Sequence, residues 1–217
     1  MVEQYNVSVG KAANEHETAP RRNSRYQKKL LTRPIGMKCS TVYEFLVEIF
    51  EKNGNRNAMG WRDTIDIHEE KKIVNKVIDG KNVPTEKIWQ YFEMSHYRYS
   101  TYTELTTLMH DIGRGLVKMG LEPGNKDKLH IFASTSHKWM KMFIGSQSQA
   151  IPVVTAYDTL GEAGLIHSMV QTGTAAVFTD SALLPKLINP LQSAKDIKYI
   201  IHSDTLDPKD KRQGGKM

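Results

Sequence analysis

The second half of the chain alternates short apolar runs with amphipathic stretches at near-constant spacing, and few folds tolerate that order. Residues 128–134 (KLHIFAS), 151–154, 175–179 and 198–202 read as short strands. Between them, residues 137–149, 161–172 and 182–194 read as helices with apolar positions three and four apart. Strand, helix and strand at this spacing make right-handed crossovers, so the strands run parallel. A parallel sheet is covered on both faces. The expectation is an α/β fold: a parallel sheet flanked by helices. One more helix leads into it. Thr101-Tyr-Thr-Glu104 is a capping box, Leu105 to Met119 supplies an apolar face, and Gly120 followed by Pro123-Gly124 ends it.

Ahead of residue 101 the pattern is different. Thr41-Val-Tyr-Glu44 is another capping box, followed by Val42, Phe45, Leu46, Ile49 and Phe50 on one helical face, with Gly54 closing the helix. Residues 58–62 and 87–94 look like strands rich in aromatics. Polar sequence separates them, with Asp79-Gly80 as a turn signal. This part reads as an antiparallel meander with long polar excursions. The resulting plan has a basic, poorly ordered tail (1–39), a helix plus antiparallel meander (40–100), an alternating β/α subdomain (101–206), and a linker or truncated end (207–217).

Charge separates the tail from the body. The net charge is +6, and residues 1–38 hold 8 Lys/Arg against 3 Asp/Glu. From Arg21 to Lys38 no acid interrupts the bases. The body is close to neutral, so no nucleic-acid partner is expected. The tail has two readings: a solvated terminus, or weak peripheral attachment to anionic lipid, worth about 1 kcal/mol per basic residue at the surface. No run approaches the roughly 18 apolar residues of a spanning helix. The N-terminus lacks a signal-peptide core, and the single Cys39 excludes a disulfide framework. A cytosolic or cytosol-facing protein is the expectation.

Few motifs in the sequence carry chemistry. Gly113-Arg-Gly115 lacks a third glycine and falls inside a helix, so it is no dinucleotide loop; close helix–sheet packing is the expected role. Neither a Gly-x4-Gly-Lys-Ser/Thr loop nor a Gly-x-Ser-x-Gly elbow is present. The eight histidines are scattered without metal-pair spacing, and Cys39 has no neighbouring base. No catalytic residue and no metal ligand is assigned. Two loops that follow strands remain, because ligands of parallel sheets bind beyond the strands' carboxyl ends. The first is Ser134-Thr-Ser-His-Lys-Trp139, whose hydroxyls suit a helix cap. The second is Thr155-Ala-Tyr-Asp-Thr-Leu-Gly161, where Asp158 or Thr159 would cap the next helix and Tyr157 would line a pocket. His137, Trp139, Tyr157, Asp158 and Thr159 are the pocket-wall candidates.

At these loops the sequence resembles the N-terminal part of the fungal, budding-yeast-type long-chain fatty-acyl-CoA synthetases. The resemblance is carried by His137-Lys-Trp-Met-Lys-Met-Phe-Ile-Gly145, the run from Gln147 through Tyr157-Asp-Thr-Leu-Gly161, and Leu165-Ile-His-Ser-Met-Val-Gln171. The segment from Val9 to Asn23, Ser40 to Phe45, Trp61-Arg-Asp63 and His110 to Lys118 agree as well. The resemblance implies the adenylate-forming fold, with this chain as its N-terminal subdomain. It also implies a reaction of fatty acid, ATP and coenzyme A, with magnesium, giving acyl-CoA, AMP and pyrophosphate. The implied location is the cytoplasmic face of endoplasmic reticulum or lipid droplets. The family's Ser/Thr/Gly-rich phosphate loop, later aspartate motif and C-terminal lysine would all lie beyond Met217. The isolated chain is therefore expected to be inactive, needing the C-terminal part of the enzyme. The alternative is a non-catalytic truncated paralogue that acts as a binding or partner module. One small departure stands inside the motifs: Ala150 sits where the family pattern leads one to expect glycine.

Overall fold

The computed structural model describes residues 5–78 and 80–202. Asp79 of the expected turn and the 207–217 linker lie outside the described residues. Contacts divide the chain into two units, 1–48 and 49–217.

In the first unit, β1 (Asn6–Ser8) pairs antiparallel with β2 (Arg21–Asn23). Val9 N donates to Pro20 O at 2.8 Å, Ser24 N to Tyr5 O at 3.0 Å, and Arg21 Nε to Asn6 Oδ1 at 2.6 Å. The stretch read as a poorly ordered tail thus contains a short ladder, although most of its side chains are exposed. Backbone pairing is indifferent to side-chain charge, which is all that composition reports. Helix α1 (Val42–Asn53) opens with its reciprocal cap in place. Glu44 N donates to Thr41 Oγ1 at 3.1 Å, and the Glu44 carboxylate accepts the Ser40 and Thr41 N–H groups at 2.5 and 3.2 Å.

The second unit begins its β structure with β3 (Asn57–Trp61), which pairs antiparallel with β6 (Arg98–Thr101). Between them, β4 (Thr64–Ile78) and β5 (Lys81–Met94) form one long two-stranded ribbon. The antiparallel strands expected ahead of the parallel sheet are present, arranged here as two separate two-stranded sheets, and the polar stretch is itself a strand. Charged residues alternate there with Ile67, Ile73 and Val77, and both faces are exposed, so no apolar periodicity marks it.

The sheet of the α/β part runs in the order β10-β9-β7-β8, all parallel, with β7 (Leu129–Phe132), β8 (Val153–Ala156), β9 (Ala176–Thr179) and β10 (Tyr199–His202). Period-two alternation sorts side chains between two layers. Leu129, Ile131, Ala176 and Phe178 face α2 (Tyr102–Met119) and α3 (His137–Gln147), with Leu116, Trp139 and Phe143 packed there. Phe132 and Val177 face α4 (Glu162–Thr172) and the last helical segment, against Leu165, Met169 and Leu187. The expectation of helices on both faces holds. The last helix does not run unbroken over 182–194. Ser181–Leu187 is a 3-10 segment containing Pro185, and α5 (Ile188–Ser193) follows it. Proline without an N–H cannot continue an α-helix through its interior.

Three helices end in the same left-handed corner. Leu121 N reaches Leu116 O at 3.2 Å, Ile151 N reaches Ser146 O at 3.1 Å, and Thr174 N reaches Met169 O at 3.4 Å. The residues before them, Gly120, Ala150 and Gly173, have φ of 112°, 52° and 57°. These are Schellman ends, and each next residue is only 1% exposed, turned into the core. Ala150 therefore occupies a position that favours glycine. The glycines of α2 act differently from the expectation. A Cβ on Gly113 would overlap Ser148 Oγ, and one on Gly145 would lie 2.6 Å from Ile112 Cβ. The close approach is between α2 and α3, not between helix and sheet, and Gly115 faces open space.

One polar group is sealed in the centre. His130 on β7 is 0% exposed, its Nε2 is 3.0 Å from Ser168 Oγ, and Nδ1 has no partner among the described residues. Burial holds its imidazole down at about 4, against the usual 6.5.

Three outcomes follow from this packing. Ala150→Gly relieves the left-handed backbone and raises stability by about 1 kcal/mol in denaturant titration, net of the glycine entropy. Gly145→Ala lowers stability by about 2 kcal/mol, whereas Gly115→Ala is neutral or gains up to about 1 kcal/mol. For His130, the unfolded chain binds a proton near pH 6.5 and the folded chain only near 4. Stability is therefore complete above pH 6.5 and falls as pH drops towards 4, by about 3 kcal/mol in full. The His130→Gln chain loses that component, and equal pH slopes for the two proteins would contradict the assignment.

Candidate functional site

The strand order places a switch point in the sheet. From β7 the chain moves to β8 on one side, then returns across β7 to β9 on the other. Helix α3 leaves β7 on one face and the 3-10 segment leaves β9 on the opposite face. The crevice at such a point, beyond the strand ends, is where open α/β sheets bind ligands.

Side chains tie the loops together here. Ser134, just past β7, donates its N–H to Asp180 Oδ2 at 2.7 Å, across the switch point. Its hydroxyl donates to Asp158 Oδ2, past β8, at 3.1 Å. Lys186, on the 3-10 segment, donates Nζ to the Asp158 carbonyl at 3.0 Å. One serine thus links the exits of three adjacent strands. Two carboxylates, a hydroxyl and an ammonium group lie within this network. It orders the rim and sets loop spacing. Nothing in it pairs a nucleophile with a base.

The five sequence candidates separate on inspection. Asp158 joins the network, as described. It does not cap the next helix: α4 has Gly161 at its N-cap and no side-chain bond there. Tyr157 is 82% exposed, and Thr159 is exposed beside it. Trp139 stacks on Phe143 with centroids 5.8 Å apart and packs into the core. The hydroxyl cap expected at the start of α3 is present, with Ser136 Oγ accepting from Trp139 N at 3.3 Å. His137 lies flat on Trp61, with centroids 4.6 Å apart and planes within 3°. Lys141 Nζ sits 4.6 Å from the centroid of that same indole. Burial, and then the positive charges of Lys141 and Lys138, push the His137 imidazole below its usual range. Burial likewise lowers Lys141. No hydrogen bond, ion pair or ring contact among the described residues joins any two of the five candidates.

Sequence reasoning missed Asp180, Lys186, Trp61 and Lys141. The position of Asp180 directly after an apolar strand was the available signal for it. The others depend on tertiary contacts over 28 residues (Lys186 to Asp158) or between β3 and α3. An apolar pocket of about 490 Å³ also exists, lined by Leu187, Leu191 and Ile200 among others, but none of its lining residues belongs to the three tied loops. Among the described residues, no group of three or more His, Cys, Asp or Glu could hold a metal ion. The sequence has no glycine-rich phosphate loop either.

Comparison with known proteins places this geometry. Residues 81–216 match the profile of the AMP-binding enzyme family. The long-chain-fatty-acid–CoA ligase 1 of Saccharomyces cerevisiae is 64% identical over 217 residues, which is all of this chain and 31% of that protein. The long-chain-fatty-acid–CoA ligase 1 of Schizosaccharomyces pombe is 34% identical over 196 residues, covering 90% of this chain and 29% of that protein. Among solved structures, the adenylation domain of a carboxylate reductase from Mycobacterium chelonae superposes with a TM-score of 0.59 at 14% identity. That match covers 79% of this chain and 24% of the other. The chain spans 31% of the length of the Saccharomyces relatives. The sheet order, the two-sided helical cover and the sequence match over its second half agree: this chain belongs to the AMP-binding enzyme family.

Proposed function

We propose that these 217 residues form the leading α/β part of a long-chain fatty acid–CoA ligase, which activates a fatty acid with ATP and transfers it to coenzyme A. The observation that carries this is the 64% identity with the Saccharomyces ligase 1 along the whole of this chain. ATP, magnesium and coenzyme A belong to the complete enzyme. In this reading the residues described here supply a frame rather than reacting groups. The Ser134–Asp158–Asp180 network holds the rim of the sheet at the switch point, where a ligand's position is set. A long-chain fatty acid is the proposed substrate. A cytoplasmic-face location at endoplasmic reticulum or lipid droplets, with the basic first 38 residues touching the membrane, is part of the same proposal.

Two assays test it. The purified 217-residue chain forms no acyl-CoA from fatty acid, ATP and coenzyme A. Thioester synthesis by it would remove the frame reading. A chimera in which this chain replaces the matching third of the Saccharomyces ligase 1 keeps acyl-CoA synthesis within about tenfold in kcat/KM of the parent. A soluble, folded chimera without activity would remove the ligase reading.

A further inference from the structure

The β4–β5 ribbon leaves one long strand edge open. β4 and β5 pair only with each other, so each has a second edge without a neighbour among the described residues. A free edge is a row of unpaired N–H and C=O groups, a template for another strand. The two edges differ. β5 holds Pro84, whose missing N–H is tolerated only on the side that faces solvent, so its outer edge is interrupted. β4 holds no proline, and from Thr64 to Val77 every residue but Val74 is exposed.

The ribbon is tied down at its root. Arg62 donates to the Ser95 and Met94 carbonyls at 2.7 and 3.0 Å. Ser95 N donates to Asp63 O at 2.8 Å, Asp63 N donates to Ser95 Oγ at 2.9 Å, and Arg98 pairs with Asp63 at 3.0 Å. Most of its charges are matched within the ribbon. Lys71 pairs with Glu86 at 2.9 Å, Lys72 with Glu70 at 3.0 Å, and His68 lies 2.8 Å from Glu93. Lys76 has no such partner among the described residues, and Asp79, the acid nearest to it in sequence, lies outside them.

The order of charges along β4 is complementary to itself when reversed. In an antiparallel pair about a twofold axis, residues equidistant from the axis face each other and share a side of the sheet. An axis at Ile73 sets Glu70 of each copy opposite Lys76 of the other, so the opposite-charge pair occurs twice. Glu69 then faces Val77, Lys71 faces Asn75, Lys72 faces Val74, and Ile73 faces its own counterpart, with no like charges directly opposite. Neighbouring axes do worse. At positions 69 to 72 or at 76 a charged residue meets itself, at 74 Lys72 meets Lys76, and at 75 no acid of β4 faces a lysine. We propose that two copies of this chain associate edge to edge through β4, antiparallel, about a twofold axis at Ile73. Backbone pairing over residues 68–78, about 35 Å of strand, supplies the affinity, and the Glu70–Lys76 pairs fix the register. The inference goes beyond the ligase reading and holds whichever reaction the complete enzyme performs.

Sedimentation velocity of the full chain over a dilution series tests it. The expected result is a concentration-dependent monomer–dimer equilibrium. Glu70→Lys and Lys76→Glu each turn both attractive pairs into repulsive ones and weaken self-association by about tenfold. Mixed in equal amounts, the two variants again face acid with lysine at both positions, and the mixture dimerises like the parent. Far-UV circular dichroism checks that these exposed-site variants stay folded. The axis is read separately in a Cys39→Ser background. Ile73→Cys places two thiols opposite each other, within the span of a disulfide, and mild oxidation yields a cross-linked dimer. Lys71→Cys faces Asn75 of the second copy and does not cross-link. Three results overturn the proposal. The chain stays monomeric throughout the series. The mixture of Glu70→Lys and Lys76→Glu associates no better than either variant alone. Or Lys71→Cys cross-links in place of Ile73→Cys, so the axis lies elsewhere.

Discussion

Complete burial of β7 is the constraint on which the α/β part rests. All four of its residues are buried, and its backbone groups are shared with β8 on one side and β9 on the other. A strand in that position must be covered on both faces, because no water reaches it. Leu129 and Ile131 commit one face to α2 and α3, and Phe132 commits the other to α4 and the last helical segment. The layers are then held at close range by glycine. Gly113 and Gly145 let α2 and α3 approach until Ser148 Oγ bonds the Met109 carbonyl at 3.3 Å and that of Gly145 at 2.8 Å. His130, on the same strand, contributes a polar group that the core accepts only in its neutral form.

Much of this was legible because the signals were local or periodic. Two capping boxes, at Thr41 and Thr101, close as their sequences require. The alternation from residue 128 onward gives the parallel sheet, since a period of two against one of 3.6 is visible in side-chain order. The β4 strand was not legible, since its charges alternate with branched residues and neither of its faces is buried. The last helix was misjudged where Pro185 and Pro190 stand, though the sequence prints both. At the rim, Asp158 was found and given the wrong local task. Its carboxylate serves a residue 24 positions away, and a sequence window shows only the helix that follows. Trp139, a pocket-wall candidate in the sequence, is partly buried and stacks on Phe143 against the core.

The two kinds of relative measure different things. At 64% identity with a Saccharomyces ligase, side-chain detail in this third of the protein is comparable position by position. At 14% identity with the Mycobacterium chelonae domain, the likeness is of sheet order and helix placement alone. Ala150 shows why the distinction matters. The Schellman corner there holds the left-handed backbone that favours glycine, and in this chain alanine fills it.

The ribbon also bears on the order in which the chain organises itself. Its pairs join residues as near as Ile78 and Lys81, so it zips from its turn on the microsecond scale of hairpins. The sheet must instead close Leu129 onto Val153 and Ala176, across two crossovers. During synthesis at roughly 5–20 residues per second, Met94 leaves the ribosome several seconds before His202. The ribbon is then a finished arm on a nascent chain whose sheet does not yet exist. Whatever attends the chain at that stage meets that arm before it meets the sheet.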